Sequence, residues 1–238
     1  MEFLKVNSYK ELSQKAADKV VKVIQENPHA ALGLATGSTP VGLYENLVQA
    51  YQHGQVDFHK VKTFNLDEYV GIHQDHPQSY HQYMQKHLFQ FINLKDDHVH
   101  IPDGETGDLE EECQRYERLL AKEGPIDLQI LGLGINGHIG FNEPGTAFDA
   151  RTHVVNLTDS TREANAKFFD TKEEVPKQAI TMGIGNIMES REIILLAFGE
   201  HKQPAIKQLM EGEVYEDFPA SALLQHDRVK VIYGEKDS

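Results

Sequence analysis

Apolar residues near the start of the chain recur every three or four positions, the spacing of one buried helix face. Ser8 precedes this pattern and Glu11 follows three residues later, a combination typical of a capping box at a helix N-terminus. The pattern predicts a helix over residues 9–26. Its buried face is formed by Leu12, Ala16, Val20, Val23 and Ile24.

Further along, short apolar runs bounded by turn residues alternate with helical patterns. The runs predict strands over residues 30–35, 61–66, 126–133, 153–157, 178–182, 193–198 and 229–233. The helical patterns predict a helix beginning at residue 40 and helices over 80–91, 108–122, 161–169 and 201–211. The run over 193–198 has no polar alternation, as expected for a strand covered on both faces. We therefore predict an α/β fold: a doubly wound, mostly parallel, Rossmann-like sheet between helix layers, in a single domain over residues 1–238.

The net charge of the chain limits the classes of partner that it can bind. Asp and Glu outnumber Lys and Arg by 37 to 23, which gives a formal charge of -14 and disfavours nucleic acid and anionic membrane surfaces. No apolar run approaches the roughly 18 residues of a membrane span, and the N-terminus lacks a basic start followed by an apolar stretch. The single Cys113 lies in a charged helical pattern and is predicted to be structural. We expect a cytoplasmic protein.

Ligands of such sheets bind beyond the carboxyl ends of the strands, so the segments after each strand are the candidates for chemistry. The first is residues 35–40, in which Thr36, Gly37, Ser38 and Thr39 offer backbone N–H groups and hydroxyls before a helix. The segment lacks the Gly-Lys-Ser/Thr ending of a nucleotide loop, so a sugar phosphate suits it better than a nucleoside triphosphate. The alternative is an ordinary helix start, capped by Thr39 with Pro40 as its first residue.

The second segment places two adjacent carboxylates, Asp67 and Glu68, directly after a strand. Neighbouring side chains at a strand end point in different directions, so we expect one to face the ligand and the other to face solvent. A partly desolvated carboxylate there is suited to act as a base toward a carbon acid. The alternative is a pair of solvated charges in a turn.

The third segment, residues 132–145, contains the richest chemistry. It opens with the Gly-x-Gly-x-x-Gly spacing of a dinucleotide site, but later glycines and Pro144 prevent the helix that this site requires. With the dinucleotide interpretation set aside, the segment is a loop that carries His138. Asn136 lies two residues before His138, and Glu143 lies five residues after it. An imidazole with such partners is typical of an acid/base residue.

Thirteen histidines invite the hypothesis of a metal site. His73, His76, His81 and His87 crowd one region, but no HExxH pattern or cysteine pairing accompanies them. We expect solvated surface there and no metal.

Together these segments resemble the glucosamine-6-phosphate deaminases of the isomerase/deaminase sugar-phosphate superfamily, over nearly the whole chain. The motifs are ATGSTP at 35–40, FNLDEYVG at 64–71, GHIGFNEP at 137–144, TREAN at 161–165 and GEHK at 199–202. The resemblance implies conversion of glucosamine 6-phosphate and water to fructose 6-phosphate and ammonia, without cofactor. It implies that Asp67 takes the C2 proton and that His138 opens the sugar ring, with Glu143 and Asn136 holding the imidazole. It assigns phosphate binding to the loop at 36–39 and to Lys202.

The sequence departs from the family pattern at two positions. Some members carry aspartate where this chain has Asn136, so a charged partner for His138 must come from Glu143 alone; the amide orients the ring but cannot neutralise it. Some members carry arginine where this chain has Lys167, which keeps the cation but loses the bidentate fork toward phosphate.

The family also includes larger hexamers activated by N-acetylglucosamine 6-phosphate, which bind it through cations soon after the Asn-Glu-Pro motif. Here His153 and Val155 stand at those positions. We expect a monomer or small homo-oligomer of the short, non-allosteric type.

Three alternatives stay open at this point. A ribose-phosphate isomerase or a phosphogluconolactonase shares the phosphate loop and the carboxylate, whereas the segment at 137–144 favours an amino sugar whose pyranose ring must first be opened. A non-catalytic sugar-phosphate sensor has the same pocket without turnover. A sensor is expected to carry a DNA-binding segment, and an acidic chain of this length shows none.

Overall fold

The computed structural model describes residues 1–166, 169 and 171–236. The helices are α1 (Tyr9–Glu26), α2 (Val41–Gln52), α3 (Tyr80–His87), α4 (Leu109–Glu123), α5 (Asp159–Asn165), α6 (Ile184–Met188) and α7 (Gln203–Glu211). The strands are β1 (Glu2–Lys5), β2 (Ala31–Leu34), β3 (Lys62–Asn65), β4 (Asp67–Tyr69), β5 (Val99–His100), β6 (Leu128–Gly132), β7 (His153–Asn156), β8 (Gln178–Thr181), β9 (Ile193–Phe198) and β10 (Val229–Gly234).

Seven strands form one parallel sheet in the order β1-β10-β9-β6-β2-β3-β5. Every residue of β2 is buried, and β9 is buried except at Phe198. Both faces of β9 are therefore covered, as its unbroken apolar run predicts. The predicted doubly wound α/β fold is confirmed. After β2 the chain adds β3 and β5 on one side of it and then, from β6 onward, β6, β9 and β10 on the other, where β1 forms the edge. The order therefore reverses between β6 and β2, where ligands bind in such sheets.

The strands predicted at 153–157 and 178–182 form, but they do not join this sheet. β7 pairs antiparallel with β8, and β8 pairs antiparallel with β4, which makes a separate three-stranded sheet. β7 is only partly buried, so it lacks the two covered faces of a central parallel strand. The β4 strand follows β3 after the single residue Leu66, whose carbonyl accepts a hydrogen bond from Met182 N–H at 2.7 Å. The small sheet is thus anchored at the carboxyl edge of the large one.

Local signals place the helix starts well. The α1 helix spans the predicted residues, with the Ser8 hydroxyl accepting from Glu11 N–H. At α2 the expectation is wrong: Pro40 is the N-cap, the helix begins at Val41, and Thr39 makes no side-chain cap. Thr39 lies one residue too early to reach the helix N–H groups that a cap bonds.

Candidate active site

Four neighbouring strands of the large sheet end beside one another, and each leads into a predicted site segment. In spatial order, β9 leads to Lys202, β6 to the His138 loop, β2 to the loop at 35–40 and β3 to Asp67. Because all four strands are parallel, their carboxyl ends lie at one edge of the sheet. The fold therefore gathers segments that lie as far apart in the sequence as residue 35 and Lys202.

Tyrosine hydroxyls hold the loop at 35–40 by its carbonyl groups. Tyr44 donates to the carbonyl of Ala35, and Tyr83 donates to that of Gly37 at 2.6 Å. Tyr9 donates to the carbonyls of Ser38 at 3.2 Å and Thr39 at 2.9 Å. With their carbonyl oxygens paired away, the peptide units of this loop are fixed in orientation before any ligand arrives.

The N–H groups of the same loop are left for a ligand. No described residue accepts a hydrogen bond from the backbone N–H of residues 36–39. Gly37 has φ +92°, a left-handed conformation that favours glycine. Donors that converge before a helix start suit an anion, as the sequence predicts. A cavity of about 850 Å³ borders the loop at Gly37 and Ser38 and reaches Tyr80. Asp67 and His138 do not line this cavity, so it offers room beside the loop rather than at the reacting groups.

Asp67 is a buried carboxylate beside the histidine loop. Its side chain is 6% exposed, and Oδ2 lies 3.6 Å from the point that a Cβ on Gly140 would occupy. Gly140 is two residues beyond His138 and has φ +58°, so a side chain there would strain the backbone, and its Cβ would also lie only 3.0 Å from Thr181 Oγ1. Burial, with a smaller effect of Glu68, raises the pKa of Asp67 from 3.8 to about 8. The interpretation of this pair as solvated charges in a turn is wrong.

Glu68 does not face solvent, contrary to expectation. It is 3% exposed, and its carboxylate accepts hydrogen bonds from the N–H groups of Tyr69 at 2.8 Å, Tyr80 at 3.0 Å and His81 at 3.1 Å. Burial raises its pKa to about 7, and these N–H groups oppose the rise. The α3 helix begins at Tyr80 and covers the carboxylate with its N-terminus, which the strand pattern alone does not reveal. Glu68 thereby joins β4 to the helix whose Tyr83 holds Gly37.

The imidazole of His138 is oriented by a relay of hydrogen bonds that runs through Asn136 to Glu143. Its Nδ1 lies 2.7 Å from Asn136 Oδ1, and Asn136 Nδ2 donates to Glu143 Oε2 at 2.7 Å. Glu143 Oε2 lies 3.8 Å from His138 Nδ1, too far for a direct hydrogen bond. The sequence predicts that Glu143 supplies the charge and that Asn136 orients the ring, and in the structure the Asn136 amide lies between the imidazole and the carboxylate.

The relay fixes the tautomer of the imidazole. An ionised carboxylate only accepts hydrogen bonds, so the Asn136 amide must turn its NH2 toward Glu143 and its oxygen toward His138. His138 Nδ1 therefore carries the hydrogen, and Nε2 has a free lone pair. Burial lowers the pKa of His138, the charge of Lys202 lowers it further, and Glu143 opposes both. His138 is thus a neutral base at neutral pH, with Nε2 as the atom that accepts a proton.

Two glycines make room for this arrangement. A Cβ on Gly134 would lie 2.4 Å from the His138 ring, and a Cβ on Gly137 would lie 2.2 Å from the ring of Phe218. Phe218 is 1% exposed, and the nearby Ala220 N–H donates to the Gly137 carbonyl at 2.9 Å. Two of the three glycines that mimic a dinucleotide motif therefore serve close packing, Gly134 against His138 and Gly137 against Phe218.

Of the two cations predicted to bind phosphate, the structure describes Lys202. Lys202 ends a short 3-10 turn after β9, is half-buried, and lies near enough to His138 to lower its pKa. Lys167 lies outside the described residues.

Within the described residues no group of three or more His, Cys, Asp or Glu is arranged to hold a metal ion. No helix in the described ranges is both long and apolar enough to cross a membrane.

The sequence matches a known family over most of its length. Residues 5–233 fit the family described as glucosamine-6-phosphate isomerases/6-phosphogluconolactonase. The chain belongs to this family. Two family members show how similar the sequences are. The glucosamine-6-phosphate deaminase of Lysinibacillus sphaericus (strain C3-41) is 53% identical over 234 residues, which cover 98% of this chain and 99% of the relative. Glucosamine-6-phosphate deaminase 2 of Bacillus subtilis (strain 168) is 53% identical over 238 residues, covering 99% and 96%.

Solved structures of the glucosamine-6-phosphate isomerase/6-phosphogluconolactonase family separate likeness of fold from likeness of sequence. A structure described as a monomeric glucosamine-6-phosphate deaminase superposes with a TM-score of 0.97 at 49% identity, covering 98% of this chain and 97% of its own. The 6-phosphogluconolactonase of Thermotoga maritima superposes with a TM-score of 0.77 at 21% identity, covering 98% of each chain. The second comparison supports the shared fold alone.

Several residues at the site carry no local signal in the sequence. Thr161 donates to Glu143 Oε1 at 2.6 Å, and Thr181 Oγ1 accepts from Phe141 N–H at 3.2 Å. Asn142 Nδ2 donates to the carbonyls of Ile139 and Met182, both at 2.9 Å. The resemblance includes Thr161 and Asn142 in its motifs, but nothing local assigns them these contacts.

Proposed function

We propose that this protein is a glucosamine-6-phosphate deaminase, which converts glucosamine 6-phosphate and water to fructose 6-phosphate and ammonia. The observation that carries the proposal is a buried carboxylate, Asp67, beside the loop in which Asn136 and Glu143 hold His138 with Nε2 free. Identity near 50% over almost the whole chain to deaminases supports the same activity. The phosphogluconolactonase alternative shares the family and the fold, but the solved lactonase is only 21% identical to this chain.

In this proposal the first step opens the pyranose ring. His138 Nε2 takes the proton of the C1 hydroxyl and returns it to the ring oxygen as the C1–O5 bond breaks, leaving an aldehyde at C1. The Nδ1–H donates to Asn136 throughout, so the imidazole shuttles the proton without turning. The imidazole is positively charged while it holds the proton, and Glu143, whose carboxylate lies 3.8 Å from Nδ1, stabilises that charge.

Asp67 then removes the proton from C2 of the open sugar. The electrons of the C–H bond form a C1–C2 double bond while the electrons of the C1 carbonyl move to O1, which takes a proton from solvent, and the product is an enolamine. Protonation at C1 turns the enolamine into an imine at C2, and attack by water at C2 releases ammonia and leaves the ketone. A desolvated carboxylate suits the proton transfer, because its raised pKa makes it a stronger base than an exposed aspartate.

Phosphate binding holds the substrate at one end while the chemistry proceeds at the other. The phosphate is bound by the N–H groups and hydroxyls of residues 36–39 and by the ammonium of Lys202. Lys167 is a further cation that we assign to the phosphate. In a chain with a formal charge of -14, such local donors are needed to attract a dianion.

The activity is tested by mixing the purified protein with glucosamine 6-phosphate and no other addition, and measuring ammonia and fructose 6-phosphate. Equal amounts of both products are expected. Hydrolysis of 6-phosphogluconolactone without ammonia release from the amino sugar would favour the lactonase instead. Binding of the amino sugar phosphate without any product would favour a sensor.

The pH dependence of kcat/KM is expected to report Asp67. The base must lose its proton before it can act, so kcat/KM rises with pH and levels off around the Asp67 pKa of about 8. Substrate groups also titrate in this range. The Asp67 carboxyl is therefore followed separately by 13C NMR, its signal being the one lost in Asp67→Asn. A carboxyl midpoint near 4 contradicts the desolvated base.

Lys202→Ala is expected to weaken substrate binding by about 1.5 to 3 kcal/mol, or roughly 10- to 150-fold in KM, because a charge-assisted contact to phosphate is lost. The matched control is Lys207→Ala, which removes an exposed lysine from α7. Glucosamine without its phosphate serves as the second substrate and is expected to show little difference between variant and parent. Equal damage with both substrates means that Lys202 has a structural role instead.

We further propose a monomer or small homo-oligomer, formed by a single domain over residues 1–238, that works in the cytoplasm without activation by N-acetylglucosamine 6-phosphate. The monomeric description of a structure 49% identical to this chain supports the first point. One continuous core that includes both Val6 and Ile232 supports the second. Val155 packs against a small apolar cluster that includes Tyr69 and Phe141, and so offers no charge to an anionic effector.

A further inference from the structure

Thr161 lies at the far end of the relay that orients His138. Its hydroxyl donates to Glu143 Oε1 at 2.6 Å, while Oε2 of the same carboxylate accepts from Asn136 Nδ2 at 2.7 Å. Thr161 and Glu143 are each 8% exposed. A short hydrogen bond between a hydroxyl and a carboxylate in buried surroundings is among the stronger neutral-to-ion contacts in proteins.

The helix that carries Thr161 places this hydroxyl. Thr158 is the N-cap of α5, and its side chain accepts from Thr161 N–H at 3.2 Å. The Thr158 hydroxyl also donates to Thr161 Oγ1 at 3.0 Å. Thr161 Oγ1 thus accepts from Thr158, so its own hydrogen is directed to Glu143. The third residue of the helix often reaches back to the cap, whereas here it reaches across to the catalytic loop.

We propose that Thr161 is a positioning residue for the reaction: by fixing the Glu143 carboxylate, it fixes the Asn136 amide and hence the Nδ1–H tautomer of His138. This role rests on the proposed function for its effect on turnover, but its effect on the imidazole is a property of the free protein. Without the Thr161 hydroxyl, the carboxylate loses the donor on Oε1 and can rotate toward other partners. The amide then keeps only the longer hydrogen bond from the His138 backbone N–H to Asn136 Oδ1 at 3.2 Å, so it turns over more easily. The imidazole can then place its hydrogen on Nε2, where it blocks proton uptake.

Two variants separate this role from simple packing. Thr161→Val keeps the shape and removes the hydroxyl, and Thr161→Ser keeps the hydroxyl and removes a methyl group. Thr161→Val is expected to lower kcat by about 10- to 100-fold, the effect of losing one charge-assisted hydrogen bond, with KM for glucosamine 6-phosphate changed by less than about threefold. Thr161→Ser is expected to keep kcat within about threefold of the parent.

The direct readout is the 15N NMR spectrum of the His138 ring in the free protein, with His138→Gln used to assign its signals. The parent is expected to show hydrogen on Nδ1, and Thr161→Val is expected to show a shift toward hydrogen on Nε2. An unchanged tautomer in Thr161→Val overturns the proposal, and so does an equal loss of kcat in Thr161→Val and Thr161→Ser. If the parent releases no ammonia, the proposed function fails, while the ring spectra still decide the role of Thr161.

Discussion

Asp67→Asn is expected to lower the rate of ammonia release from glucosamine 6-phosphate by about 10² to 10⁴, the usual range for removal of a positioned base. The amide keeps the shape of the side chain beside Gly140 but has no basic oxygen to take the C2 proton. The loss is expected in kcat as well as in kcat/KM, because the phosphate loop and Lys202 are untouched and binding should persist.

Exchange of the C2 hydrogen with solvent distinguishes this role from an indirect one. In the parent, the exchange is expected to accompany ammonia release, and in Asp67→Asn both are expected to fall together. Asp227→Asn, which makes the same change at an exposed position, is the matched control and is expected to behave as the parent. If exchange and ammonia release both persist near the parental rate in Asp67→Asn, then Asp67 is not the base.

The same substitution is expected to stabilise the fold at neutral pH, by about 2 to 4 kcal/mol at pH 7. The Asp67 pKa is near 3.8 in the unfolded chain and about 8 in the folded protein, so folding at pH 7 must return a proton to the carboxyl. The stability of the parent therefore falls as pH rises from about 4 to 8, and the amide variant lacks this loss. The cost of burying the amide offsets part of the gain.

Denaturant unfolding of parent and variant at a series of pH values measures this effect. The difference in unfolding free energy is expected to be near zero around pH 4 and to grow until about pH 8, with Asp227→Asn showing no such trend. A difference that stays constant with pH would mean that Asp67 is not desolvated in the folded protein. A stable but inactive variant would show that the site keeps a destabilising carboxylate for its chemistry.

Much of the fold follows from local patterns in this chain. The Ser8 cap and the helical spacing after it predict α1 to the residue, and the unbroken apolar run at 193–198 predicts β9 to the residue. Short elements escape such reasoning: β1 and β5 have only partly buried or exposed residues, and α6 is five residues long. Their formation depends on neighbours that the pattern does not contain.

The site divides in the same way. Residue types and spacing single out Asp67, His138 and the loop at 36–39, because carboxylates, imidazoles and glycine-rich turns after strands carry chemical meaning wherever they occur. They do not predict that Glu68 is buried under the start of α3, nor that Asn136 stands between His138 and Glu143. The first outcome depends on the start of α3 meeting β4, and the second on how the 132–145 loop folds back on itself.

The sequence by itself determined which residues have the chemistry and which strand ends present them, since periodicity and turn signals act over a few neighbouring positions. The tertiary structure alone decided the pKa of Asp67, the tautomer of His138 and the part played by Thr161. Desolvation and hydrogen-bond direction depend on every group within a few ångströms, and those groups come from β4, the 132–145 loop and α5, which only the folded chain brings together.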